Sequence, residues 1–325
     1  MRWPIFFKSK KENEENKLPD SEGQSTFAAP TTESSTCSRA YNDSCFWRSF
    51  TLNAVRVLER EEAFCSILPL WGGKICIKYG PAVQLLEAAA LRLVAQTTSI
   101  PVPKVYCAFR HRNRTYIVME LIDREEIGEN WAKRSNVEKQ ALLDQLKGIF
   151  EELRNIPHPR PGILAAADIQ ALYDPRAAKG ELGFGPFGKE SDFNNFLRGG
   201  MQADDDMLNK ERCPWVTDEE RAEMSKLISL HESSHHRVCF THGDVSSSNI
   251  LVKGAKVVGL IDFELSGFYP EYWEYTTAMN VNKFDGFWKD EIPKFLKEYP
   301  RELEMETLRR RHFGACGFRN IYPWG

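Results

Sequence analysis

Apolar positions along the chain change period several times, and each change predicts an element. Residues 1–40 are rich in Lys, Glu, Ser, Thr and Pro and carry no apolar period, so they read as a disordered or loosely tethered tail. Its aromatic tip, Trp3, Phe6 and Phe7, is available to dock. Tyr41 to Glu62 has a helical pattern. Ile67–Leu70 and Lys74–Tyr79 flank a Trp71-Gly72-Gly73 turn and predict a hairpin. Within its second strand Ile75 and Ile77 share one face, while Lys74, Cys76 and Lys78 share the other. Pro81 opens a helix over Val83–Gln96, as proline suits a first turn. Val105–Phe109 and Tyr116–Leu121 read as strands around a basic tip, Arg110–Arg114, expected to be solvated.

Beyond residue 122 the period turns helical. Leu142, Leu143, Leu146, Ile149, Phe150 and Leu153 recur at helix spacing over Val137–Asn155 and predict a core helix. Residues 156–200, rich in Pro and Gly, read as surface loops. Thr217-Asp218-Glu219-Glu220 is a capping box that starts a helix to His231. A short strand, Val238–Phe240, follows, and Trp288–Phe313 closes the chain as helix. Its late basic run, Arg309–His312, suits the negative end of the helix dipole.

The chemistry concentrates between Thr241 and Gly267. Ile250–Val252 and Val257–Ile261 form two apolar runs around a short turn at Lys253–Lys256, which reads as a β-hairpin. The hairpin brings the loop before its first strand beside the end of its second. Asp244, Asn249 and Asp262 should therefore converge. An amide oxygen and a carboxylate suit magnesium, a hard cation that shares oxygen ligands with substrate phosphates. A second carboxylate can take the proton of an attacking hydroxyl. In the first half of the chain, Glu87 lies among Leu86, Ala90, Leu91 and Val94, where a carboxylate needs a cation; Lys78 is the expected partner. The Tyr269–Tyr275 stretch, with Glu271 and Glu274 among aromatics, is either packing or a receptor for a cationic, hydroxylated substrate.

Three other patterns offer different chemistry. His231-Glu232-Ser233-Ser234-His235 matches the zinc-hydrolase spacing H-E-x-x-H, which needs one helix to carry both imidazoles. Gly183–Gly188 matches G-x-G-x-x-G but follows no strand pattern, so a loop is expected. Asp204-Asp205-Asp206 reads as a solvated loop.

Bulk properties narrow the class. A chain of 325 residues with 42% hydrophobic content suits two lobes around a cleft. The formal net charge of -3 gives no reason to expect nucleic acid as a partner. Eight cysteines without a C-x-x-C pair point to reduced, packing thiols and a cytoplasmic setting. No apolar run approaches the roughly 18 residues of a membrane span.

His242-Gly243-Asp244, Asn249 five positions after the Asp, and Ile261-Asp262-Phe263-Glu264 resemble the aminoglycoside phosphotransferase and choline kinase family. Protein kinases have His-Arg-Asp and Asp-Phe-Gly at the corresponding places. The resemblance is strongest over 241–267 and extends over most of the chain after residue 40. It implies an α+β, two-lobed protein-kinase-like fold, with a small antiparallel-sheet lobe over 41–122 and a mainly helical lobe over 123–325. Asp244 is implied as catalytic base, with Asn249 and Asp262 as magnesium ligands. Lys78, paired with Glu87, is implied at the ATP phosphates, and the backbone of Glu120 and Ile122 at adenine. The expected activity is phosphoryl transfer from ATP to a hydroxyl of a small molecule. A protein hydroxyl is not expected, because no Ala-Pro-Glu ending follows Asp262. The sequence departs from protein kinases in the phosphate-covering loop, where Trp71-Gly72-Gly73 is the available turn. That departure favours the alternative of a nucleotide-binding regulatory module without turnover.

Overall fold

The computed structural model describes residues 39–58, 65–177, 183–280 and 283–314. The expectation for the tail therefore lies, apart from Arg39 and Ala40, outside the described residues. Arg39 itself is held by a side-chain fork to Asp168, which corrects the loose tethering expected up to residue 40.

The small lobe is a four-stranded antiparallel sheet with one helix on each face. After α1 (Cys45–Leu58) come β1 (Ser66–Leu70), β2 (Ile75–Gly80), α2 (Leu85–Thr97), β3 (Val105–His111) and β4 (Arg114–Glu120). The sheet order is β1-β2-β4-β3. Strand alternation sorts the faces as expected. Ile77 and Tyr79 pack with Cys107, Phe109, Tyr116 and Val118 beneath Val55 of α1. Cys76, Ala108, Ile117 and Met119 face the other way, toward Leu86, Leu91 and Val94 of α2.

The large lobe begins with β5 (Glu125–Glu126) and α3 (Asn136–Arg154). The apolar stripe of α3 is buried as its spacing required, and Ser135 closes a capping box with Glu138. There follow α4 (Glu190–Leu197), α5 (Asp218–Glu232), β6 (Val238–Thr241), β7 (Ile250–Lys253), β8 (Lys256–Leu260) and β9 (Gly267–Pro270). The chain then forms α6 (Trp273–Ala278), α7 (Ile292–Phe295) and α8 (Pro300–Phe313). Two small sheets hold the loops of interest, β5-β7-β8 and β6-β9.

Several expectations needed correction. The span 156–200 is not all loop: Phe193 and Leu197 bury one face of α4. It is only eight residues long and flanked by Gly and Lys, too short for its period to stand out. Gly267–Pro270 is a strand because its backbone completes β6, register Thr241↔Gly267. The late basic run of α8 acts through ion pairs rather than the dipole alone. Arg309 is 1% exposed and forks onto Glu306 at 2.5 and 2.7 Å, while Arg311 and His312 both reach Glu223. The described cysteines are free thiols, four of them buried. No helix among the described residues is long and apolar enough to cross a membrane.

Candidate active site

β6 delivers the chain at Thr241 into a loop that re-enters the sheet at β7. The β7–β8 pairing places Ile250 opposite Leu260, and the Ile261 amide donates to the Asn249 carbonyl at 3.0 Å. Asp262, one residue on, thus lies beside Asn249. Asp262 adopts φ 64°, ψ 63°, a left-handed conformation uncommon for an L residue. Such strain persists where the surroundings fix it. Asn249 Nδ2 donates to the Asp244 carbonyl at 3.0 Å and to Asp244 Oδ2 at 3.2 Å. Ser246 Oγ donates to Asp244 Oδ1 at 2.5 Å. The three residues singled out in this hairpin are brought together.

His242 shapes this loop rather than facing the cleft. It is fully buried, its Nδ1 accepts from the Asp244 amide at 3.2 Å, and its Nε2 lies 2.9 Å from the Ile261 carbonyl. The two contacts together require the neutral tautomer with the proton on Nε2. The ring ties the Asp244 loop to Ile261, between the end of β8 and Asp262.

From the small lobe, Lys78 reaches the same place. Its Nζ lies 2.8 Å from Glu87 Oε2, 2.8 Å from Asp262 Oδ1 and 3.8 Å from Glu264 Oε2. One ammonium faces three carboxylates. Burial opposes the charge on Lys78, but Glu87, Asp262 and Glu264 outweigh it and raise its pKa well above the ordinary value. Burial and the Asp262 charge push the Glu264 carboxyl up to about 8, against the pull of Lys78. Burial likewise pushes Glu87 up. The all-oxygen donor set of Glu87, Asp262 and Glu264, with Asn249 added, fits a hard divalent cation, whose charge would draw the proton off Glu264.

The remaining supports of the Asp244 loop were not legible in the sequence. Glu274 of α6, with no exposed surface, accepts from the His242 amide at 2.7 Å and the Gly243 amide at 2.8 Å. Asp285 accepts from Ser247 N at 2.8 Å and Ser247 Oγ at 2.6 Å, and Trp288 Nε1 donates to the Val245 carbonyl at 2.9 Å. Arg176, forked onto buried Asp174, donates to the Gly243 carbonyl at 2.6 Å. Gly243 has φ +84°, and a Cβ there would stand 2.5 Å from the Leu265 carbonyl oxygen, so only glycine fits. The signal for Glu274 was an acid inside an aromatic run. Tyr269, Tyr272, Trp273 and Tyr275 are all buried, so the aromatics of this stretch pack the lobe. Glu274→Ala should strand two buried N–H donors, at a cost of about 2–6 kcal/mol in total. Urea denaturation would read the loss, and a midpoint equal to wild type would refute the role.

Glu120 ends β4 opposite Ile75, with its N–H donated to the Lys104 carbonyl at 2.9 Å. The Leu121 amide donates to Lys74 at 3.0 Å. Ile122 follows at the start of the connection to the large lobe. The Trp71-Gly72-Gly73 turn, in contrast, is misplaced as a phosphate contact. Register pairs Leu70 with Ile75 and Ile67 with Lys78, so the turn lies at the Glu120 end of the strand. The end of β1 beside Lys78 is Ser66, opposite Tyr79. The turn therefore says nothing against phosphate binding.

The competing patterns dissolve. His231 is buried in the last turn of α5, which Ser233 caps, so His235 lies beyond the helix. Burial, with Arg198 adding to it, drops the His231 pKa to about 3. The described Gly183–Gly188 positions form bridges, Leu172↔Phe184 and Leu164↔Phe187, and no strand-turn-helix. Asp205 caps a short turn at Met207, and Asp206 pairs with Arg212.

The same architecture is found among small-molecule kinases. A thermostable mutant of aminoglycoside phosphotransferase APH(4)-Ia, solved in ternary complex with ADP and hygromycin B, superposes with TM-score 0.52 at 13% identity, covering 80% of this chain and 88% of that one. ADP-bound aminoglycoside phosphotransferase APH(2'')-Ib gives TM-score 0.51 at 15% identity, covering 85% and 90%. The fold is thus the two-lobed, protein-kinase-like α+β fold. Residues 78–312 match the profile of the phosphotransferase enzyme family, and the chain belongs to that family. No curated protein matches it by sequence.

Proposed function

We propose that the protein transfers the γ-phosphoryl group of ATP, with magnesium, to a hydroxyl of a small molecule. The observation that carries this is the Lys78 ammonium joining Glu87 of the small lobe to Asp262 of the large lobe, with Asn249 and Asp244 bonded alongside. Asp244 takes the proton of the acceptor hydroxyl as its oxygen bonds to the γ-phosphorus and the bond to the ADP oxygen breaks. Asn249 and Asp262 would hold magnesium, which would supply charge neutralisation at the transferring group. Lys78, oriented by Glu87, holds the nucleotide phosphates. The backbone of Glu120 and Ile122, at the connection to the large lobe, would meet the adenine edge. The acceptor is a small hydroxylated molecule.

Calorimetry of ATP binding to wild type and Asp262→Asn, with and without magnesium, tests this reading. Wild-type binding should require magnesium, and the variant should bind at least about tenfold more weakly, the scale of one lost charge-assisted contact. Wild type that binds ATP equally well without magnesium would overturn it.

A further inference from the structure

We propose that Arg39 is a positioning residue of the Asp244 loop, through which the small lobe sets the placement of the base. The proposal rests on the phosphotransfer reading for its catalytic consequence and on geometry alone for the connection. Two residues beyond Arg39, Tyr41 bonds to the edge strand β3: its N–H donates to the Ala108 carbonyl at 2.8 Å, and the Ala108 amide returns at 2.9 Å. The Arg92 guanidinium of α2 lies 3.6 Å from the centre of the Tyr41 ring. The backbone at Arg39 therefore belongs to the small lobe.

Its side chain belongs to the large one. Arg39 Nε lies 2.6 Å from Asp168 Oδ2, and Nη2 lies 3.1 Å from Oδ1 and 2.8 Å from the Ala171 carbonyl. The pair is only 17% and 21% exposed, so solvent screens it less than an open surface pair. A two-pronged fork of this kind fixes orientation as well as distance. The loop it grips is held unusually. Ile169 stands at φ 61°, rare for a β-branched residue. Asp168 also accepts from the Gln170 amide at 3.3 Å.

From Ala171 the chain runs directly to Asp174 and Arg176. Asp174 is 1% exposed and takes both prongs of Arg176, at 2.8 and 2.7 Å. Arg176 ends on the carbonyl of Gly243, the residue before Asp244. The small lobe is thus joined to the base loop by two forked ion pairs and a short length of chain between them. A shift of the small lobe is thereby passed to the Gly243 carbonyl, one residue before Asp244. If Arg39 only anchored the chain, its loss would lower stability without reaching residues 243–245.

Arg39→Ala, Asp168→Asn and the reversed pair Arg39→Asp with Asp168→Arg test this in the full chain. The readouts are magnesium-ATP affinity, single-turnover hydrolysis of magnesium-ATP to ADP and phosphate, and amide exchange at Gly243–Val245. The single variants should bind magnesium-ATP within about threefold of wild type yet hydrolyse it about 5–30-fold more slowly, as small misplacements near the chemistry do. Their loop amides should exchange about tenfold faster. The reversed pair should recover most of both losses, the signature of a direct interaction. Single variants that exchange like wild type at Gly243–Val245 would overturn the proposal. A wild type that binds no magnesium-ATP would instead overturn the phosphotransfer reading, and the exchange measurement would still decide the role of Arg39.

Discussion

Asp244→Asn should lower phosphoryl transfer by roughly 10² to 10⁴, the usual contribution of a positioned general base. The asparagine keeps the shape, and its amide oxygen can still accept from Ser246 or Asn249, which now bond to Oδ1 and Oδ2. What it removes is the basic lone pair. Magnesium-ATP affinity should stay within about threefold, because the loss is confined to a step made only in the transition state. Asp244→Ala should be at least as slow and should also loosen the loop, since it deletes both acceptors. Paired measurement of turnover and of nucleotide affinity checks this. A turnover rate equal to wild type in Asp244→Asn would remove the residue from the chemistry.

Much of this site was legible because its residues are close in sequence. Asp244, Asn249 and Asp262 sit on one hairpin, so local pairing alone brings them together. Lys78 and Glu87 were readable as a pair because a carboxylate among apolar helix positions demanded a cation, and the 2.8 Å contact meets that demand. The supports of the loop are different. Glu274, Asp285 and Arg176 reach it from 31, 38 and 67 residues away, respectively. No periodicity encodes such a meeting; only the tertiary fold creates it. Glu274 illustrates the ambiguity, since an acid amid Tyr and Trp reads equally as a cation receptor until burial shows it turned inward onto two amides.

The misplacement of Trp71-Gly72-Gly73 has a physical lesson of the same kind. Glycines mark where a chain turns, not which end of a sheet the turn occupies. Strand register decides that, and here the register puts Lys78 at the opposite end of β2 from the turn. Glu264 was visible within the Ile-Asp-Phe-Glu run but had no role until Lys78 was found beside it. The site then appears as an excess of carboxylates around one ammonium, an arrangement that favours added positive charge at the place where phosphates must be met.

Lys78→Met should have the largest combined effect. It keeps the aliphatic stem and removes the ammonium, leaving Glu87 at 1% exposure without its counter-ion. Breaking one partner of a buried pair costs about 3–5 kcal/mol where the remaining group stays charged. The carboxylates can avoid part of that cost by taking up protons. Lys78 is the group that pulls Glu87 and Glu264 down, so its removal lets burial and mutual repulsion raise both further above 4.5. A carboxyl whose folded pKa exceeds its unfolded value contributes stability that is complete below the unfolded pKa and is lost as pH rises through the folded one. With Glu264 already at about 8, the variant should lose stability progressively between pH 5 and the alkaline side of neutrality, more steeply than wild type. Magnesium-ATP affinity should fall as well, since the phosphates lose their cation. Denaturant melts of both proteins at pH 5.5, 7 and 8.5, with nucleotide calorimetry at each, separate the two effects. A gap between variant and wild type that shrinks as pH rises would show that Lys78 is not the charge that draws the pKa of these carboxyls down.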